Sequence, residues 1–202
     1  MGLRTFSTLG DVLKAYQIRY QEANLPTDKP QVDAPQELHE ELTFKKAEIA
    51  YNASEAAICE AIIFPILRAV WKPFRHTFAI WSYKPISLNE ELNGIPDFIF
   101  ARKSELGRVV FDTPYVAVVE AKKDDFTLGW AQCALEMYTI QQLNNDTKPV
   151  YGIVSNGDLW EIGYLEEKTL MVYRNRYDSN QLDELFSALT YVLETCKRIY
   201  NL

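Results

Sequence analysis

Asp97, Glu120 and Lys122 are the residues of this 202-residue chain whose types and spacing suit chemistry on a phosphate. Asp97 closes the run Gly94-Ile95-Pro96-Asp97 at the start of a strand-like segment. Glu120 and Lys122 flank Ala121 at the end of another, Val118-Val119-Glu120-Ala121-Lys122. Residues i and i+2 of a strand share one face, so Glu120 and Lys122 point the same way while Ala121 turns into the sheet. If the two strands are hairpin neighbours, Asp97 lies beside Glu120. Two carboxylates and a main-chain carbonyl such as that of Ala121 are hard oxygen ligands, a set that suits Mg²⁺, or Mn²⁺ in its place. The ion would polarise a scissile phosphate and acidify a water. Lys122, next to two carboxylates, is expected to stay protonated or share a proton with that water, and to orient the nucleophile or steady charge growing on the phosphate. Taken singly, each residue reads as a strand-entrance or surface ion-pair residue worth little. Together, a charged trio after an otherwise buried strand is costly unless something uses it.

The surrounding pattern supplies elements to position the trio. Residues 7–22 read as a first helix with Leu9, Val12, Leu13 and Tyr16 on one face and Ser7 or Thr8 as its cap. Pro26, Pro30 and Pro35 mark residues 25–36 as a loop. Residues 37–71 read as helix in two pieces, broken near Asn52-Ala53-Ser54, with Ser54 capping the second. That second piece is apolar on every side and is expected to be buried, with a kink at Pro65. Strands are expected at 76–83, 95–101, 115–121, 149–154, 158–164 and near 169–173, and helices at 126–144 and about 180–200. Glu105-Leu106-Gly107 and Ser155-Asn156-Gly157-Asp158 read as turns. The expected architecture is α/β (α+β), a central mixed sheet flanked by helices, in a single domain over 1–202 with an N-terminal helix and Pro-rich loop in 1–36 and the core in 37–202.

Pro96-Asp97 followed, after 22 intervening residues, by Glu120-Ala121-Lys122 resembles the PD-(D/E)XK motif of the restriction-endonuclease-like fold. Ser54-Glu55-Ala56-Ala57, the run Ile62-Ile63-Phe64-Pro65-Ile66-Leu67 and Trp71 resemble the first helix of the N-terminal nuclease domains of type I restriction motor subunits. The resemblance implies an acidic residue of that helix near the metal, Glu55 by spacing with Glu60 as the alternative. Gln132 resembles the glutamine of the recombination-nuclease motif, glutamine followed four residues on by tyrosine; this chain has Glu136 at the tyrosine position and Tyr138 two residues further. Ser155-Asn156-Gly157 with Trp160 resembles the turn and tryptophan of the same type I-like domains. A Mg²⁺-dependent nuclease acting on DNA, or RNA, in restriction, repair or mobile-element processing is what the resemblance implies. Some members of the fold are inactive and serve as binding or assembly modules, so a non-catalytic module that needs a protein partner or a second copy is the alternative.

The totals set bounds. The formal charge of −7 counts against a general nucleic-acid binder, though a carboxylate metal site itself adds negative charge. Arg102, Lys103 and Arg108 are the best local basic patch for contact with a nucleic-acid backbone. Cys59, Cys133 and Cys196, odd in number and widely spaced, argue against a disulfide framework or zinc site and fit buried thiols in a reducing cytoplasm. No apolar run approaches the roughly 20 residues of a membrane helix, and residues 1–5 lack a signal peptide's apolar core. The absence of a Gly-rich phosphate loop removes ATP hydrolysis. His39 and His76 have no metal-ligand spacing and are assigned no role.

Overall fold

The fold is given by a computed structural model that describes residues 6–27 and 29–202. Residues 1–5, where the missing signal peptide was read, lie outside the described residues. Strands β1 (Arg19–Ala23), β2 (Phe78–Ser82), β3 (Ile86–Ser87), β4 (Asn93–Gly94), β5 (Phe98–Lys103), β6 (Phe111–Ala121), β7 (Val150–Ser155), β8 (Leu159–Glu166) and β9 (Thr169–Asp178) alternate with helices α1 (Leu9–Tyr16), α2 (Gln36–Glu48), α3 (Glu55–Ile58), α4 (Phe64–Trp71), α5 (Phe126–Asn144) and α6 (Leu182–Tyr200). Seven strands form a mixed sheet in the order β1-β9-β8-β7-β6-β5-β2, and β3 with β4 makes a separate small hairpin. The chain is thus mixed α/β, with helices on both faces of a central mixed sheet.

The centre of the sheet follows from the apolar run of β6. Its residues 116–121 are all buried, as expected for a strand covered on both faces. The alternation sorts them: Val119 and Ala121 join the core under α4 and α6, and Val118 the core under α5. β6 leads through α5 to β7, its parallel neighbour, and pairs antiparallel with β5 on its other side. α5 comes close to the sheet because Gly129 and Gly152 have no side chain: a Cβ on Gly129 would stand 2.6 Å from Val154 and 3.0 Å from the Lys122 stem, and one on Gly152 would stand 2.6 Å from the Cys133 sulfur.

Two local expectations are corrected. The first helix stops at Tyr16 rather than continuing to 22. Gln17 turns left-handed (φ 54°), its N–H donating to the Leu13 and Lys14 carbonyls, and residues 19–23 become β1. The side chains of β1 are mostly exposed, so its parallel main-chain ladder with β9 decides its state, and side-chain periodicity carries no trace of that. β9 likewise runs on to Asp178, beyond the short strand read near 169–173. The second piece of the 37–71 region runs from Glu55 to Trp71 with Ser54 accepting from the Ala57 N–H. Instead of a plain kink, a π-helical stretch at Cys59–Ile63 leads into α4, which has Pro65 in its first turn. A wider turn there accommodates a residue with no N–H to give.

Candidate active site

The β5–β6 register carries the site. Phe98 pairs with Val119, and continuing the ladder by one residue sets Asp97 opposite Glu120. Asp97 is fixed at both ends: its carbonyl accepts from the Tyr83 N–H at 3.0 Å, and its Oδ2 accepts from the Ala121 N–H at 2.7 Å. Burial is the main cause raising its carboxyl above the usual range, against the Ala121 hydrogen bond and the Lys122 charge.

Lys122 is held by groups from three elements. Its N–H donates to the Ser155 carbonyl at 2.8 Å, so the Ser155-Asn156-Gly157 turn fixes the backbone just past β6. That turn is itself tied down: the Gly157 N–H donates to Ser155 Oγ, and the Trp160 indole N–H donates to the Gly157 carbonyl at 3.0 Å. Gly157 is left-handed (φ +89°) and packs so close to Ile58 that a Cβ would stand 2.9 Å away. The Lys122 ammonium donates to the Ala121 carbonyl at 2.9 Å and lies 3.5 Å from Glu120 Oε2 and 3.7 Å from Glu55 Oε2. Burial alone would lower its pKa; Glu120, Glu55 and Asp97 together outweigh burial and raise it.

Sequence reasoning treated Glu136 only as a replaced tyrosine, and the structure brings it into the centre. Glu136 projects from α5 to share a hydrogen bond with Glu120. Its Oε2 is buried and has no hydrogen-bond partner among the described residues. Glu120 and Glu136 are 4% and 6% exposed, which is why both hold their protons far more tightly than surface carboxyls. Burial chiefly, with Asp97 adding to it, pushes Glu120 up to about 7. Burial and then Glu120 hold Glu136 well above its ordinary value. Gly94 makes room for the pair, since a Cβ there would stand 2.9 Å from Glu136 Oε1. The signal was available: Gly129, Cys133, Glu136 and Ile140 recur at helical spacing and all are buried, which placed a carboxyl on the sheet-facing side of α5.

Of the residues singled out from sequence, Asp97, Glu120, Ala121, Lys122 and Glu55 are brought together. Gln132 is exposed, one turn before Glu136 on α5; Glu60 is exposed too. Trp130 belongs to another contact, its indole N–H donating to Glu161 Oε2 at 2.6 Å. Arg102 leaves the basic patch to pair with Asp112 at 3.7 Å. His39 lies 3.1 Å from Asp183. The Cys59 thiol is pushed up to about 12, by burial first and the Asp97 charge second, so it offers no thiolate nucleophile near neutral pH.

The donor chemistry fits a hard divalent cation. Glu120 and Glu55 lie within 3.7 Å of one ammonium whose charge also reaches Asp97 and Glu136, and one carboxyl oxygen is buried without a partner. Among the described residues no group of three or more His, Cys, Asp or Glu side chains forms a ready-made cage. Mg²⁺ asks for less: one or two carboxylates, with waters and substrate oxygens completing its shell. No helix of the described residues is long and apolar enough to cross a membrane. Neither a model of a known protein family nor a curated protein matches the chain.

Proposed function

We propose that this chain is a metal-dependent phosphodiester hydrolase of the PD-(D/E)XK class, acting on DNA or RNA. The observation that carries the reading is the convergence of Glu120 and Glu55 on the buried Lys122 ammonium at the end of a central strand, with Asp97 bonded to the Ala121 N–H beside it. Asp97, Glu120 and the Ala121 carbonyl would hold Mg²⁺ or Mn²⁺, which supplies electrophilic activation of the phosphate and of a water. Lys122, kept charged by its neighbours, neutralises charge growing on the phosphate and orients the attacking water. Glu136 sets the position of the Glu120 carboxyl through their shared hydrogen bond. The three free, buried cysteines support a reducing, cytoplasmic setting.

The test is incubation of the purified protein with Mg²⁺ or Mn²⁺ and end-labelled single-stranded and duplex DNA and RNA. Cleavage is expected, removed by a chelator and by Asp97→Ala. A protein that cuts none of these substrates under any divalent ion is not a hydrolase of this kind. The burial of Glu120 favours a second reading, a non-catalytic module on the same fold that acts through a protein partner. It is distinguished by recovery of a stoichiometric partner from native cells together with no cleavage.

A further inference from the structure

The acidic charge of −7 leaves open how such a chain would hold a polyanion, and the outer edge of the sheet supplies an answer. β2 is the last strand of the sheet, paired with β5 on one side only. Along it lies a cavity of about 420 Å³, mostly apolar, lined by Trp71, Phe78 and Trp81 together with Arg75, Lys103 and Arg108. No carboxylate lines it, and no acidic residue pairs with these three cations among the described residues. Trp71 packs with the buried Phe78 on one face of the sheet and is partly exposed, while Trp81 stands on the other face with its ring against Phe111 and Lys84. The Trp71 indole N–H is spent on the Phe78 carbonyl at 2.7 Å, which fixes its ring. Next to the cavity, the β5–β6 loop that carries Arg108 leaves Leu106 82% and Val109 80% exposed, an apolar tip that no described residue covers.

Cations beside a fixed aromatic face are the chemistry of single-stranded nucleic-acid binding. The aromatic face accepts an unstacked base of any sequence, and the cations take the phosphates. A duplex keeps its bases stacked and offers no such face. The groove also leads to the site: Trp81 pairs with Ile99, and two residues on, the Tyr83 N–H bonds to the Asp97 carbonyl. From Phe78 to Tyr83 is roughly 17 Å of extended chain, the reach of a few nucleotides. We propose that this groove holds a single-stranded segment of nucleic acid, a base against Trp71 and phosphates against Arg75, Lys103 and Arg108, and leads it toward Asp97. The choice of ligand rests on the hydrolase reading; the binding itself is tested without it.

The experiment is a titration of the metal-free full chain with a short oligothymidylate, read by tryptophan emission and repeated over a range of salt. Quenching is expected, with affinity falling as salt rises. Lys103→Ala combined with Arg108→Ala, both at exposed positions, is expected to weaken binding about tenfold and to reduce the salt slope by roughly 1.4. Circular dichroism confirms that this variant is folded. Absence of quenching at low salt, binding unchanged in the double variant, tighter binding of the matching duplex, or equal binding of an oligoglutamate peptide would each overturn the groove. Quenching without cleavage under Mg²⁺ would keep the groove and remove the hydrolase.

Discussion

Lys122→Met is expected to lower metal-dependent cleavage by about 10²–10³-fold, the usual loss when one group aimed at a developing oxyanion is removed. The substitution keeps most of the volume of the stem, which packs beside Gly129, and deletes only the ammonium. A second effect follows from the same charge. The ammonium lies within 3.7 Å of both Glu120 and Glu55 and bonds the Ala121 carbonyl. Removing it leaves Glu120 buried beside Glu136 with no cation nearby. Breaking such a buried pair costs on the order of 3–5 kcal/mol, reduced here because Glu55 is half-exposed and screened. Chemical denaturation without metal is expected to show the loss, and added Mg²⁺ to recover part of it. Lys122→Met with full activity would show that the ammonium faces structure and not substrate.

Glu136→Gln is expected to act in the opposite direction on stability. Glu120 and Glu136 are acids whose native pKa values are raised, Glu120 to about 7 and Glu136 well above its ordinary value, by burial first in both. Below the unfolded value near 4.5, native and unfolded chains carry these protons alike. Between there and about 7, the native protein binds more protons than the unfolded one, so stability falls as pH rises. The fall continues higher for Glu136. Glutamine keeps the shape and donates its N–H to Glu120 at every pH. The variant is therefore expected to be more stable than the parent at about pH 8 and nearly equal to it at about pH 5. Urea unfolding of the metal-free proteins at the two pH values measures this. A variant less stable at the higher pH would mean that the carboxyl pair is not strained.

Much of the site could be read from local pattern. The continuous apolar run of 115–121 gave the central strand, period two put Glu120 and Lys122 on one face, and the Asn156-Gly157 turn and Ser54 cap fall where their residue types demand. The helix at 126–144 follows from Trp130, Ala134, Met137 and Ile140 falling in line, and the structure adds Asp125 as its cap. What escaped depends on contacts distant in sequence. β1 exists through a ladder to residues about 150 positions away. Asp97 meets Glu120 only through the β5–β6 register, which includes shifts near Phe100 and Ala101 that no alternation announces. Glu136 was passed over because its position was judged against a tyrosine motif, while its helical phase already pointed at the sheet. Arg102 looked like its basic neighbours until the pairing of β5 with β6 placed it across from Asp112.

The reading depends on a divalent ion between Asp97 and Glu120, and calorimetric titration of Mn²⁺ into the metal-free protein tests that most directly. At about pH 8, binding at a single site is expected, weakened strongly in Asp97→Ala and in Glu120→Gln. Its heat is expected to vary with the buffer, because the ion displaces protons held by the carboxyl pair. No binding, or binding that both variants leave unchanged, would contradict a metal centre at these residues and the hydrolase built on it.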